Sequence, residues 1–268
     1  MEPIMEQIVI AGLRIAYTRA GNGPSLVLLH GGLSDSREWR WQLDALSDAF
    51  TVVAWDAPGC GQSADPPEIF PLHAYADCLA AFIDALGLAQ PHVLGLSFGG
   101  GLALELYRRH PTLPRTLVLA SAYAGWAGSL PAEEVAARLR QIIHDVDLPS
   151  DQWLSRWMPG LFTEAASREM IAEMAAIMAA CHPAGAKVMA RAFADADLRD
   201  ILPRIQVPTL LLYGAADQRV PARVAEELHA QIPTSRLVML PGIGHQSNIE
   251  APERFTAEVR SFLRSVRP

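Results

Sequence analysis

The chain has 268 residues, half of them hydrophobic, enough to bury a sizeable core as one domain or as one domain carrying an insertion. A net charge of −7 with no block of Lys or Arg argues against nucleic acid or an anionic membrane as partner, and sets no limit on a small neutral substrate. Cys60, Cys78 and Cys181 share no C-x-x-C spacing, "MEPIMEQIVIAGLRIAY" has no basic-then-apolar leader, and no apolar run has membrane-spanning length, so a cytoplasmic protein without disulfides or zinc is expected.

"EQIVI" and "LRIAYTR", separated by Ala11-Gly12, predict a β-hairpin, and "GNGP" at 21–24 predicts a turn before the buried strand "SLVLLH". An alternation follows: helix in "EWRWQLDALSDAF", strand in "TVVAW", helix in "LHAYADCLAAFIDALG", strand in "HVLGL", helix in "FGGGLALELYRRHP", strand in "TLVLAS". Short apolar runs alternating with amphipathic helices predict a mostly parallel sheet covered on both faces. After Ser121 the rhythm breaks, and up to Ile205 the text is helical only. "PAEEVAARLRQIIHDV" puts Val135, Leu139, Ile142 and Val146 on one stripe behind a Pro at the first helical position, and "TEAASREMIAEMAAIMAAC" does the same with Met170, Met174 and Met178. Strands "VPTLLLYG" and "RLVML" then alternate with helices "ARVAEELHAQI" and "APERFTAEVRSFLRSV". The expectation is an α/β chain with an eight-stranded sheet: a core in two parts, 1–121 and 206–268, and an inserted helical cap over 122–205. There is no internal repeat and no low-complexity segment.

"VLGLSFGG" at 93–100 contains G-x-S-x-G, which arises by chance in roughly one chain in ten of this length, so the motif needs its context. Ser97 falls on the turn between a buried strand and a helix, where a nucleophile elbow places its serine over the carboxyl edge of the sheet. A serine of ordinary acidity needs a general base and a group to orient it. Asp217 follows the strand "TLLLYG" and His245 the strand "RLVML", so both share the sheet edge of Ser97, in the order Ser, acid, His; "AYAGW" after "LVLAS" offers no carboxylate. Backbone donors for an oxyanion are expected at Phe98, next to the serine, and at Gly32 in "LLHGGLS". "GCGQSA" at 59–64 matches a dinucleotide fingerprint, but the prolines of "DPPEIFP" block the helix such a site requires. No metal-ligand pattern and no cofactor motif remain.

His30-Gly31-Gly32, "DAPGCGQS" at 56–63, "GLSFGG" at 95–100, "GAADQRVP" at 214–221 and Gly242 to His245 together make the chain resemble the α/β-hydrolase fold family over nearly its whole length. The resemblance implies that Ser97 attacks an acyl carbon, that His245 carries the proton, that Asp217 holds the imidazole, and that water then hydrolyses the acyl-enzyme. It also implies that His30 shapes its loop and that Asp56, Gly59 and Gly61 are architectural. Dehalogenases and epoxide hydrolases of the family use Asp at the elbow, where this chain has Ser97. Hydrolases of carbon-carbon bonds in ring-fission products share a serine triad and helical lid but carry a longer Gly run after the first His than Gly31-Gly32. Enol-lactonases and carboxylesterases resemble the chain at least as well, so hydrolysis of a small to medium hydrophobic ester or lactone ranks first. A ligand-binding relative without turnover and a perhydrolase or haloperoxidase side activity stay open, as does the oligomeric state. Leu33, Tyr123, Trp126, Trp153, Trp157 and Met174 are the expected lining of an apolar pocket under the cap.

Overall fold

The computed structural model describes residues 4–266; the outer ends of the stretches 1–121 and 206–268, and the first three residues of the segment read for a leader, lie outside the described residues. The eight expected strands form one sheet: β1 (Ile4–Ile10), β2 (Leu13–Ala20), β3 (Ser25–Leu29), β4 (Thr51–Trp55), β5 (His92–Leu96), β6 (Thr116–Ala120), β7 (Thr209–Gly214) and β8 (Ser235–Leu240), in the spatial order β1-β2-β4-β3-β5-β6-β7-β8. The first two are the expected hairpin, turned by Ala11 and Gly12 at φ 49° and 83°, both left-handed as the twist of a two-residue connection requires. β2 runs antiparallel to β4, and every pairing from β4 to β8 is parallel.

Strand periodicity divides the core between the two faces. Leu26 and Leu28 of β3, Leu94 and Leu96 of β5, and Leu210 and Leu212 of β7 pack with Trp39, Phe255 and Val259 on one face, beneath α1 (Arg40–Leu46) and α10 (Pro252–Ser265). Val27, Val93 and Leu211, one residue out of step, pack with Tyr75, Phe82, Leu102 and Val224 on the other, beneath α2 (Leu72–Ala85), α3 (Phe98–Arg109) and α8 (Ala222–Gln231). Each such buried side chain contributes about 1.5–3 kcal/mol of transfer free energy. The expected helix over "EWRWQLDALSDAF" is shorter than its text: a 3-10 turn covers Ser36–Trp39, entered at Asp35, whose carboxylate accepts from the Arg37 amide, and α1 ends at Leu46.

Between β6 and β7 lie α4 (Ala132–Asp145), α5 (Ser150–Trp157), α6 (Arg168–Ala179) and α7 (Pro183–Ala194). Pro131 is extended and caps α4 instead of opening its first turn, because its ψ of 144° lies outside the helical range. Buried Asp145 at the end of α4 accepts from Arg156 at 2.7 Å and from the Trp157 indole at 2.8 Å, clamping α5 to α4. α7 buries eight of its twelve residues; its Phe193 ring lies 5.3 Å from that of Phe98 and 5.7 Å from that of Trp126, sealing the helices onto the start of α3.

β4 lies on one side of β3 and β5 on the other, so the connections leaving β3 and β5 diverge at their carboxyl ends, the place where open α/β sheets form a binding crevice. The first turn of α3 descends into that crevice. A Cβ on Gly99 would sit 2.1 Å from the Leu29 carbonyl oxygen and 2.8 Å from that of His30. Gly99→Ala is therefore expected to cost about 3 kcal/mol of stability, the upper end of overpacking penalties, since backbone rather than a side chain must yield. Chemical denaturation of the variant checks this; a loss under about 0.5 kcal/mol, within the range of neutral surface changes, would refute the close approach.

Candidate active site

Ser97 occupies the turn between β5 and α3 at φ 52°, ψ −109°, a conformation few side-chain-bearing residues adopt. Its amide donates to the Ala120 carbonyl at 2.8 Å and its carbonyl accepts from Gly100 at 3.0 Å, so strand β6 and the first turn of α3 over-determine the strained backbone. Gly95 makes the turn possible: a Cβ there would fall 2.1 Å from the Gly99 carbonyl oxygen.

Asp217 sits in the loop after β7 with its carboxylate buried. Its Oδ1 accepts from the amides of Arg219 at 2.7 Å and Val220 at 2.9 Å, and its Oδ2 from His245 Nδ1 at 2.9 Å. Burial alone would raise the carboxyl group's pKa, but the imidazole and the two amides outweigh it and hold Asp217 below the usual carboxylate range. An ionised carboxylate can only accept, so His245 carries its proton on Nδ1 and leaves Nε2 as an acceptor. His245 belongs to the loop after β8, whose carbonyl accepts from the Ser121 hydroxyl at 3.2 Å. Ser97 and His245 line one cavity of about 100 Å³ together with Gly31, Gly32 and Leu33.

The loop after β3 is held from behind. Ala57 N–H donates to His30 Nε2 at 3.0 Å, which leaves His30 Nδ1–H to donate to the Gly31 carbonyl at 2.8 Å; burial pushes the imidazole pKa down, keeping the ring neutral in this role. The Gly31 amide donates to Glu38 Oε1 at 3.0 Å. Asp56 accepts from Ser36 and Gln62 amides at 2.8 Å each, and a Cβ on Gly61 would meet its carboxylate at 2.2 Å, so the "DAPGCGQS" segment braces this loop. No helix opens at that segment; α2 begins only at Leu72. The amides of Gly32 and Phe98 make no hydrogen bond among the described residues, and both residues line a second apolar recess of about 60 Å³ that also reaches Ser97.

The alpha/beta hydrolase family matches residues 26–258, from β3 to the last helix. The chain belongs to that family. Among solved structures of alpha/beta hydrolases, an esterase from Thermogutta terrifontis with malate bound is 28% identical, with a TM-score of 0.90 over 99% of this chain and 100% of that one. The enol-lactonase of Burkholderia xenovorans LB400 is 26% identical, with a TM-score of 0.87 over 97% of this chain and 100% of that one. A putative carbamate hydrolase of Pseudomonas savastanoi pv. phaseolicola is 30% identical over 247 residues, covering 90% of this chain and 94% of its own. This chain is a hydrolase of the alpha/beta family, similar to esterases, an enol-lactonase and a carbamate hydrolase. Among the described residues no helix is long and apolar enough to cross a membrane, and no group of three or more His, Cys, Asp or Glu is placed to hold a metal ion.

Of the expected pocket residues, Leu33, Tyr123, Trp126, Trp157 and Met174 line the cavity. Trp153 does not; one turn of α5 before Trp157, it faces the interior of the helical layer among Val146 and Met178 and is fully buried there. The lining is also less apolar than expected, since Arg138, Arg219 and Gln246 reach it. "DQRVP" displays Arg219 two residues after Asp217, a cue within the motif already singled out; Arg138 stands on the polar text of α4 and gives no such cue.

Glu38 is fully buried, its Oε2 makes no hydrogen bond among the described residues, and burial pushes its carboxyl up to about 8 from an ordinary 4.5. Between those two values the folded chain keeps a proton that the unfolded chain has lost, so this group makes stability fall as pH rises through the window. Glu38→Gln, which resembles the protonated acid, is expected to gain thermal stability relative to the parent on going from pH 5 to pH 8. A difference between the two proteins that does not change with pH would show Glu38 to be ionised in the fold.

Proposed function

We propose that the chain is a serine hydrolase acting on a carboxylic ester or lactone through an acyl-enzyme, with Ser97, His245 and Asp217 as nucleophile, base and orienting acid. The observation that carries this reading is the buried Asp217–His245 pair, its free Nε2 on the same cavity as a serine held in a strained turn at the start of a helix. In this scheme Nε2 takes the Ser97 hydroxyl proton as Oγ attacks the acyl carbon. The carbonyl oxygen becomes an oxyanion, and the unengaged amides of Gly32 and Phe98 are the donors assigned to it. His245 then returns the proton to the departing alkoxide oxygen, and the sequence repeats with water to release the acid and regenerate Ser97. Asp217 supports the imidazolium and fixes which nitrogen carries the proton. The mostly apolar lining from Leu33, Trp126, Ile142 and Met174 suits a small to medium hydrophobic substrate and keeps water scarce around the charges that develop.

A fluorophosphonate probe is expected to add once, on the peptide containing Ser97; an adduct elsewhere, or none on folded protein, would remove the nucleophile assignment. Asp217→Asn is expected to fold normally and lose turnover of p-nitrophenyl esters by about 10⁴-fold, since an amide donating to Nδ1 selects the tautomer whose Nε2 cannot accept. Near-parental turnover in that variant would refute the role of Asp217.

A further inference from the structure

Two recesses meet at Ser97, Gly32 and Leu33, and they differ in character. One runs along α7 and is walled by Phe98, Ala186, Met189, Ala190 and Phe193, with no charged side chain. The other holds His245, Tyr123 and Trp157 together with two guanidinium groups, those of Arg138 and Arg219. Of the two, His245 borders only the recess that holds the guanidinium groups. In acyl transfer the histidine must face the oxygen that departs, so the alcohol arm of a substrate lies on the side of His245 and the acyl arm on the other.

Arg219 is part-buried and its guanidinium is sparsely engaged. Its Nη2 donates to the Trp157 carbonyl and its charge lies 5.3 Å from the centroid of the Trp157 ring, but Nε is buried without a hydrogen-bond partner. It forms no ion pair and its Nη1 no hydrogen bond among the described residues. The adjacent carboxylate, Asp217, has both oxygens engaged, by His245 and by the amides of Arg219 and Val220. Arg138 is anchored on its outer side by Glu134 at 2.7 Å, and its Nη1 donates at 2.9 Å to the Tyr123 hydroxyl, which in turn donates to the Arg219 carbonyl. Burial and the positive charge of Arg138 both push the Arg219 pKa down, the signature of a cation short of a counter-charge. Bracing the Trp157 carbonyl uses one of the five N–H donors of Arg219; a planar carboxylate fits the unused fork bidentately.

We infer that this cavity takes an ester whose alcohol arm ends in a carboxylate held by Arg219 beside Arg138, while a short apolar acyl arm lies along α7. The inference rests on the serine-hydrolase reading for the position of the two arms. A bond forms between Ser97 Oγ and the acyl carbon, the ester C–O bond breaks, and the serine proton passes through His245 to the departing oxygen, releasing a hydroxy acid. Water then cleaves the acyl-enzyme to a short aliphatic acid.

The test compares kcat/KM for three esters: 4-butanoyloxybutanoate, its neutral isostere 4-methylpentyl butanoate, and monobutyl succinate, which places the carboxylate on the acyl arm. The first is expected to exceed the second by about 10- to 100-fold, the range of a hydrogen-bonded charge pair, and monobutyl succinate is expected to gain nothing. In Arg219→Gln the ratio of the first two is expected to fall toward one, and Arg219→Lys is expected to restore part of it. Equal rates in the parent protein, a preference for monobutyl succinate, or a ratio unchanged in Arg219→Gln would overturn the inference. Calorimetry on Ser97→Ala gives an independent readout: 4-butanoyloxybutanoate is expected to bind, and to bind at least tenfold more weakly once Arg219→Gln is added, by the same charge-pair estimate. Absence of turnover with every ester would overturn the serine-hydrolase reading alone, while calorimetry that shows no dependence on Arg219 would overturn the carboxylate site whatever the turnover.

Discussion

The close approach of the first turn of α3 to the end of β3 is the constraint on which the rest of the site depends. Gly99 rests against the carbonyls of Leu29 and His30, and Gly95 admits the Gly99 carbonyl from the other side. With both gaps closed, the chain can pass from β5 into α3 only through a residue in a left-handed conformation, and Ser97 is that residue. The same contact sets the free amide of Phe98 beside the loop that carries Gly32. Strain and the positions of the proposed nucleophile and of one proposed donor are thus consequences of one packing event; of the three glycines at the start of α3, each costing about 1 kcal/mol by propensity, Gly99 is required by that contact, while Gly100 and Gly101 admit the Ala122 side chain and the Phe193 ring.

The segments after β3 and after β8 are tied to each other, and the second of them to the helical layer, by hydrogen bonds. Gln42 on α1 donates to the Asn248 carbonyl at 3.0 Å, and Asn248 donates to the Glu38 carbonyl at 3.0 Å, so the segment after His245 is fastened to the turn that supports Gly31. Glu250 accepts from the amides of Gly244 at 2.7 Å and Thr163 at 3.0 Å, fastening the His245 loop to the helical layer as well. Glu38, Gln42 and Asn248 of this network are buried, and loss of water around the Glu38 carboxyl is what raises its pKa, against the opposing pull of the Gly31 amide.

The sheet was legible because its pattern is strict: strands such as "SLVLL" and "TVVAW" bury both faces, and helices between them carry one apolar stripe. The elbow was legible because strand, glycine, serine and helix stand consecutively. What stayed hidden depends on side-chain direction in helices with few cues. Trp153 and Trp157 lie four residues apart on α5, yet one faces the interior and the other the cavity, a difference set by where Asp145 captures the Trp157 indole. α7 reads as a small-residue helix, "PAGAKVMARAFA", and its role as the wall of the apolar recess follows from close packing: a Cβ on Gly185 would lie 2.1 Å from the Gly59 carbonyl. That contact pairs two segments more than a hundred residues apart, which no local pattern announces.

Arg219 joins the chemistry to the helical layer through three separate groups. Its amide donates to Asp217, its carbonyl accepts from Tyr123 and from Arg138, and its guanidinium donates to the Trp157 carbonyl. A displacement of α4 or α5 therefore pulls on the residue whose amide helps to hold the Asp217 carboxylate ionised. Because that carboxylate determines which imidazole nitrogen bears the proton, the helical layer is coupled to the tautomer of His245 through one short loop. The coupling runs both ways, so a charge bound between Arg138 and Arg219 stabilises the loop geometry in which the Asp217–His245 hydrogen bond is formed.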